Sequence, residues 1–235
     1  MEITFICINA NDPSIPEPIP AVKKIPEWYK KIPRYVSGEK KPNAGGTTSG
    51  TIKTCMPVLD AMTAGYLILS PADIYISRKP EGTYYDWANH DAVTFHFPNQ
   101  TTGYPKSDVK LKDERAPKFT NYWVVKTPKG YSSLFVPPFH HDLPFSILPG
   151  VVDTDTYFNA INFPFMPDPG FEGLIPKGTP IAQVIPFKRE SWSMSTGLLK
   201  DSTKLQKLFL KVRGILASEF FDKYKKYYWA KKEYK

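Results

Sequence analysis

Short apolar runs alternate with turn-forming residues along the middle of the chain. YLILS, DIYIS, AVTFHF, NYWVVKT, SSLFVP, FSILPG, FNAINFPF and IAQVIPF each read as a β-strand. Gly, Pro, Asn and Asp clusters such as PKG and PDPG separate them, the spacing of a β-sandwich or barrel. EITFICI predicts one more strand at the N-terminus. Near the C-terminus the period changes. Leu205, Leu208, Phe209, Val212, Ile215 and Leu216 recur at three and four residues, the spacing of one helix face. Thr203 or Ser202 is expected to cap that helix. Gly214 lies inside it and costs about 1 kcal/mol relative to Ala.

Proline sharpens this outline. Of the 24 prolines, six fall between Pro13 and Pro33 and none follows Pro186. PSIPEPIPAVKKIPEWYKKIPRY therefore reads as an extended arm with room for one helical turn at Glu27 to Lys31. Trp28, Tyr29 and the isoleucines are expected to pin it, on its own domain or on a neighbouring subunit. SGEKKPNAGGTTSG reads as an exposed loop. Three parts are expected: a strand and proline-rich arm over 1–50, a β domain over 51–190, and a linker with a basic helix over 191–235.

Charge follows the same division. The formal net charge is +8, and residues 200–235 carry +7 of it. KYKKYYWAKKEYK mixes lysine with aromatics, which suits phosphate neutralisation with base stacking, an acidic protein partner, or a solvated helix end. A chain of 235 residues with 41% apolar content buries a full core, so wholesale disorder is excluded. No apolar run is long enough for a transmembrane helix, and the N-terminus lacks the basic and apolar regions of a secretory signal. Cys7 and Cys55 are too few for a disulfide framework or a zinc site, as expected of thiols in a reducing cytoplasm.

Candidate chemistry is sparse. No nucleophile elbow marks a Ser-His-Asp triad, and no Gly-rich loop ends in Gly-Lys-Ser/Thr. The four histidines, His90, His96, His140 and His141, sit in NHDAVTFHF and FHHDLPF. An oxygenase iron site would need two histidines and a carboxylate converging. His90 and Asp91 are adjacent, as are His141 and Asp142, so strand neighbours would point to opposite faces and no metal site is expected. The Asp153-Thr-Asp155 pair is more informative. Carboxylates two apart on an extended chain share a face and can hold a water, a hydroxyl or a divalent ion. An Asp-rich turn closing a hairpin has the same spacing.

Gly150-Val-Val-Asp153-Thr-Asp155, followed by Gly178-Thr-Pro-Ile181-Ala182-Gln183, resembles the third and fourth motifs of the dUTPase and dCTP deaminase superfamily. Thr63-Ala-Gly65-Tyr66 before SPADIYI resembles the opening motif of that family. Pro128-Lys-Gly130-Tyr131 before SSLFVPPF resembles the strand leading to its Pro-Arg-Ser motif. The four pieces stand in family order over about residues 61–188. The whole chain is also similar to bacteriophage and bacterial proteins without an assigned activity. The resemblance implies a mainly β fold, a dUTPase-like β-clip or jelly-roll-like barrel, usually a homotrimer with sites at subunit interfaces. It implies Asp153 as the general base for a water. Asp155, Tyr157, Gln183, Lys188 and Arg189 are the ligand-binding candidates, with Lys129 next.

The departures from the family are chemical. Pro138-Phe139 stands where the family has Arg-Ser, and a phenylalanine cannot neutralise phosphate. Leu67 replaces the opening aspartate, Thr156 is inserted before Tyr157, and Asn159 replaces a glycine. Ser195-Thr196-Gly197 resembles the family's phosphate flap but lacks its flanking glycines. The expectation is a non-catalytic binding or assembly protein of this fold with a residual small-molecule pocket near Asp153 and Gln183, phage-encoded by its resemblance, located in the host cytoplasm or the virion. The alternative is a nucleotide hydrolase of altered range, and only that reading calls for Mg²⁺. A metal-dependent oxygenase ranks third.

Overall fold

The computed structural model describes residues 1–9, 12–36, 49–97, 116–200, 203–216 and 220–235. Most of the expected loop over 37–50, and the alternative cap Ser202, lie outside the described residues. The chain forms two compact units, one of residues 1–24 and 64–189 with Tyr234, the other of 25–63 and 190–233 with Lys235. Composition places divisions near 50 and 190, whereas the units divide at 24, 63 and 189. The proline-rich arm is therefore split: its first half belongs to a β unit and its second half to a helical unit.

The β unit contains β1 (Thr4–Cys7), β2 (Ile19–Pro20), β3 (Tyr66–Leu69), β4 (Ile74–Lys79), β5 (Gly82–Trp87), β6 (Val93–His96), β7 (Ala116–Phe119), β8 (Trp123–Lys126), β9 (Tyr131–Val136), β10 (Phe145–Ile147), β11 (Gly150–Val152), β12 (Phe163–Pro167), β13 (Gly173–Ile175) and β14 (Pro180–Lys188). The fold is mainly β, and the described strand pairs are antiparallel. The sheets run β11-β9-β14-β3-β2, β10-β12-β7-β6, β13-β4-β5 and β1-β8. One core cluster joins them, including Ile68, Ile74, Ile76, Phe119, Phe135, Phe165, Ile181 and Val184. Phe119 stacks on Phe165 with centroids 3.8 Å apart and meets Phe145 edge-on at 4.8 Å. These aromatic pairs add specificity to area burial.

Strand β14 is the centre of the largest sheet. Gln183 and Val184 pair with β3 on one edge and with β9 on the other. Its residues Pro180 to Val184 are all buried, so a continuous run replaces the alternation of a half-exposed strand. The chain reaches β3 through Gly65, whose φ is 66°. A Cβ there would lie 1.9 Å from the Val184 carbonyl oxygen. Both the left-handed backbone and the close approach require glycine.

The helical unit holds α1 (Glu27–Lys31), a 3-10 turn at Ile52–Thr54, α2 (Met56–Thr63), α3 (Lys204–Leu216) and α4 (Phe220–Tyr227). The single turn expected at Glu27 is α1. Thr203 caps α3 as expected: its Oγ1 accepts the Gln206 N–H at 3.1 Å. The apolar stripe of α3 is not buried within the chain, for Leu205 is 69% exposed and Leu208 56%. In the tail, Trp229 Nε1 donates to Asp60 at 3.0 Å, and Lys232 Nζ pairs with the same carboxylate at 2.5 Å. Part of the basic-aromatic tail is thus held by α2. Among the described residues, no helix is long and apolar enough to cross a membrane.

Gly65→Ala is expected to destabilise the β unit by about 3 kcal/mol, since strain and a backbone clash coincide. Urea denaturation would show a lower midpoint at an unchanged slope; an unchanged midpoint would contradict the close approach.

Candidate functional site

The turn after β11 carries Asp153, Thr154 and Asp155. Thr154 points inward, is 2% exposed, and shares hydrogen bonds with Thr127 Oγ1 at 2.8 Å and Ser133 Oγ at 2.9 Å. This buried hydroxyl anchor turns both flanking aspartates to the opposite side, toward Arg189. Both meet Arg189, the residue that follows β14. Arg189 Nη1 lies 3.1 Å from Asp153 Oδ1 and 2.8 Å from Asp155 Oδ1, and Nη2 lies 2.5 Å from Asp155 Oδ2. Arg189 Nη1 also donates to the Tyr131 carbonyl at 3.1 Å. Ser132 Oγ donates to Asp153 Oδ1 at 2.7 Å, and the Gly130 N–H to Asp155 Oδ2 at 2.8 Å.

The two carboxylates differ in setting. Asp155 is 2% exposed at its side chain, whereas Asp153 is 61% exposed. The bidentate Arg189 fork, and after it the Gly130 N–H, hold Asp155 down to a pKa of about 2. In return Asp155, foremost, and Asp153 push the Arg189 guanidinium upward, so the pair is ionised throughout the ordinary pH range. With two carboxylates and one guanidinium, the cluster is net negative. Its cation is already engaged by protein, which disfavours capture of a polyphosphate.

Gln183 lies elsewhere. It is fully buried, its Nε2 donates to the Ala64 carbonyl at 2.7 Å, and its Oε1 accepts the Phe139 N–H at 2.9 Å. Six residues of extended chain separate it from Arg189, on the order of 20 Å. The sequence candidates therefore do not form one pocket. Asp153, Asp155 and Arg189 meet at one end of β9; Gln183 meets the Pro138–Phe139 loop at the other. Tyr157 is 49% exposed, and its hydroxyl accepts Asn159 Nδ2 at 3.3 Å. Lys188 ends β14 opposite Tyr131 and is exposed, as is Lys129. Residues 190–200, including Ser195, Thr196 and Gly197, are exposed and have no regular structure.

The histidines do not converge. His96 ends β6, and His140 adopts a φ of 60°. His141 Nε2 is buried without a hydrogen-bond partner, and burial pushes its pKa down. Among the described residues, no three His, Cys, Asp or Glu side chains lie close enough to hold a metal. The Asp153–Asp155 pair is a poor fit for Mg²⁺, because Arg189 occupies the charge that a divalent ion would neutralise.

His90 does have functional-looking partners. Its Nε2 lies 2.8 Å from Ser14 Oγ, and its Nδ1 lies 3.3 Å from Asp12 Oδ2. No sequence spacing signals this grouping, because a proline-rich arm supplies two members and a turn before β6 the third.

No family model matches the chain, and no curated protein matches it. Among solved structures, a mutant dUTPase from phage phi11 of S. aureus, described as coordinating a structural Mg(II) ion, aligns with 59% of this chain and 86% of its own. The identity is 11% and the TM-score 0.31.

Two outcomes follow from the geometry. Gln183→Leu strands the Phe139 N–H and the Ala64 carbonyl, and is expected to cost about 2–4 kcal/mol in urea denaturation. Asp155 contributes acid-sensitive stability. Its pKa is depressed from 3.8 to about 2. Its contribution is full above the unfolded value and is lost as pH falls through that window. The unfolding midpoint of Asp155→Ala, followed from pH 5 to pH 2, should therefore fall less steeply than that of the parent.

Proposed function

We propose that this chain is a non-catalytic protein of the dUTPase-like β-clip group that acts by binding and assembly. The observation that carries the reading is the closed cluster in which Arg189 engages Asp153 and Asp155 together. A hydrolase of nucleoside triphosphates needs cations aimed at phosphate and a base free to activate water. Here the nearest guanidinium neutralises the candidate base. Phe139, which stands where the family has phosphate-binding groups, has its N–H committed to Gln183.

Exposed apolar side chains support an assembly role. On the β unit, Val151, Tyr157 and Phe158 are 60%, 49% and 64% exposed beside β11, which ends its sheet. On the helical unit, Trp192, Met194 and Leu198 are each about nine-tenths exposed. Surfaces of this kind are typical of contacts with another chain. We assign them to a homotrimer, the state the family resemblance implies.

A second reading keeps Asp153 as a general base. It is favoured by the 61% exposure of Asp153, which leaves the carboxylate reachable by water. Nucleotide binding separates the two. Incubation with dUTP and Mg²⁺ should leave the thermal midpoint unchanged and release no pyrophosphate. Sedimentation should give three times the monomer mass, and a chain truncated after Arg189 should lose that association while keeping its β-type circular dichroism. Pyrophosphate release that Asp153→Asn abolishes would replace the first reading by the second; a monomer at micromolar concentration would remove the assembly role.

A further inference from the structure

We propose that Ser14, His90 and Asp12 form a nucleophile, base and positioning carboxylate at the edge of a polar cleft, and that they hydrolyse small neutral or cationic esters through an acyl-serine. The proposal lies wholly within the β unit and does not rest on the reading of the Asp153 cluster.

The geometry is that of an activated serine. Ser14 Oγ sits 2.8 Å from His90 Nε2, and His90 Nδ1 sits 3.3 Å from Asp12 Oδ2. A carboxylate only accepts, so it fixes the ring proton on Nδ1. Nε2 is then the imidazole acceptor within reach of the serine hydroxyl, which also lies against the Asp12 carboxylate. Exposure is graded in the useful direction: Ser14 is exposed, the Asp12 side chain 29%, and the His90 side chain 9%. The nucleophile faces solvent while its base is held.

The local chain preorganises the group. Asp12 Oδ1 accepts the Ser14 N–H at 2.9 Å across Pro13, an Asx turn that fixes the serine relative to the carboxylate. Farther along the arm, the Pro16 carbonyl accepts Trp123 Nε1 at 3.0 Å. On the other side, Asn89 has a φ of 74°, and the His90 ring meets Tyr122 edge-on at 6.2 Å. Tyr122 donates its hydroxyl to the Asp91 carbonyl at 3.2 Å. The Ser14 hydroxyl, foremost, then the Ser14 N–H and the nearby His90 hold Asp12 below the usual carboxylate range, so it stays ionised.

A cleft of about 410 Å³ adjoins the group, lined by Asn9, Trp87, Asn89, Asp91 and Tyr122 as well as Asp12 and His90. That volume suits a small ligand. The side-chain amides of Asn9 and Asn89 are the donors we assign to a developing oxyanion. Among the described residues, the lining holds Asp12 and Asp91 and no lysine or arginine, which disfavours anionic acyl groups.

The steps balance with water as the sole co-reactant. Ser14 Oγ attacks the ester carbonyl carbon as its proton passes to His90 Nε2. The carbon–alkoxy bond breaks, and His90 returns the proton to the leaving alcohol. Water then attacks the acyl-serine, again giving its proton to His90, and Ser14 regains that proton as the carboxylic acid leaves.

The test treats the full chain with a fluorophosphonate probe and maps the modified peptide by mass spectrometry. The expected result is labelling at Ser14, lost in Ser14→Ala and about 100-fold slower in His90→Gln, within the range of general-base assistance. With p-nitrophenyl acetate, Asp12→Asn should lower kcat about ten-fold at unchanged KM, a split that mere loss of a turn would not produce. No modification of Ser14 in the parent chain overturns the proposal. Labelling as fast in His90→Gln as in the parent overturns it as well, because Ser14 is then only an exposed hydroxyl. An unchanged kcat in Asp12→Asn removes Asp12 from it.

Discussion

Strand β14 is the member through which the β unit is tied. Its backbone is hydrogen-bonded on both edges, to β3 and to β9, and five consecutive residues at its start are buried. A buried strand must satisfy every N–H and C=O within the protein. Gly65 lets β3 approach β14 closely enough to do so. Gln183 extends the same accounting to loops. Its side-chain amide satisfies the Ala64 carbonyl and the Phe139 N–H, two backbone groups that no ladder reaches. A buried glutamine without both partners would cost more than an apolar residue in its place. The polar residue at the centre of the largest sheet is therefore a structural crosslink between two loops.

The far end of β14 converts this rigidity into a closed ionic cluster. Arg189 leaves the sheet where Gly130 leaves β9, and the Arg189 N–H donates to the Gly130 carbonyl at 2.8 Å. That bond aims the guanidinium at the turn after β11. The Thr154 anchor fixes the turn from inside, so neither partner can swing away without losing buried hydrogen bonds. A charged pair held from both sides keeps its geometry at little entropic cost. The same closure removes the freedom a nucleotide site would use: a cation that must release two carboxylates before it can grip phosphate begins at a disadvantage.

Much of this was legible in the sequence, and the exceptions have physical causes. The apolar run IAQVIPF marked β14, and Thr203 with its three-four apolar spacing marked α3. The Asp-x-Asp spacing did bring both carboxylates to one face, although a turn rather than an extended strand provides it. Helix α2 was missed because eight residues with a proline at the second position carry too little periodicity to separate from a strand. APKF was missed because Pro117 argues against a strand, yet Pro117 pairs in β7. The motif around Gln183 predicts a ligand-facing amide. A lone amide within a continuous apolar run was the available sign that it would be buried. The resemblance placed Gln183 and Asp153 in neighbouring motifs, and only the antiparallel register shows that they sit at opposite ends of β9.

Ser14, His90 and Asp12 differ from the Arg189 cluster in a way that no sequence spacing could indicate. In the cluster, the charged groups satisfy one another, and Asp155, with two donors fixed on it, is shielded from solvent. At His90, the contacts leave one member facing solvent. Asp12 is engaged by the Ser14 N–H and the His90 ring, the ring is engaged by Asp12 and the Ser14 hydroxyl, and the serine oxygen at the end remains exposed. A polar network shielded from solvent stabilises a fold, whereas one at the surface of a rigid support leaves a hydroxyl facing solvent beside an imidazole nitrogen. The first depends on β14, and the second on the start of an arm whose Pro16 carbonyl is held by Trp123. The proline-rich N-terminal segment thus has a structural effect, since the turn across Pro13 sets Asp12 and Ser14 against His90, which lies 76 residues away from Ser14 in the chain.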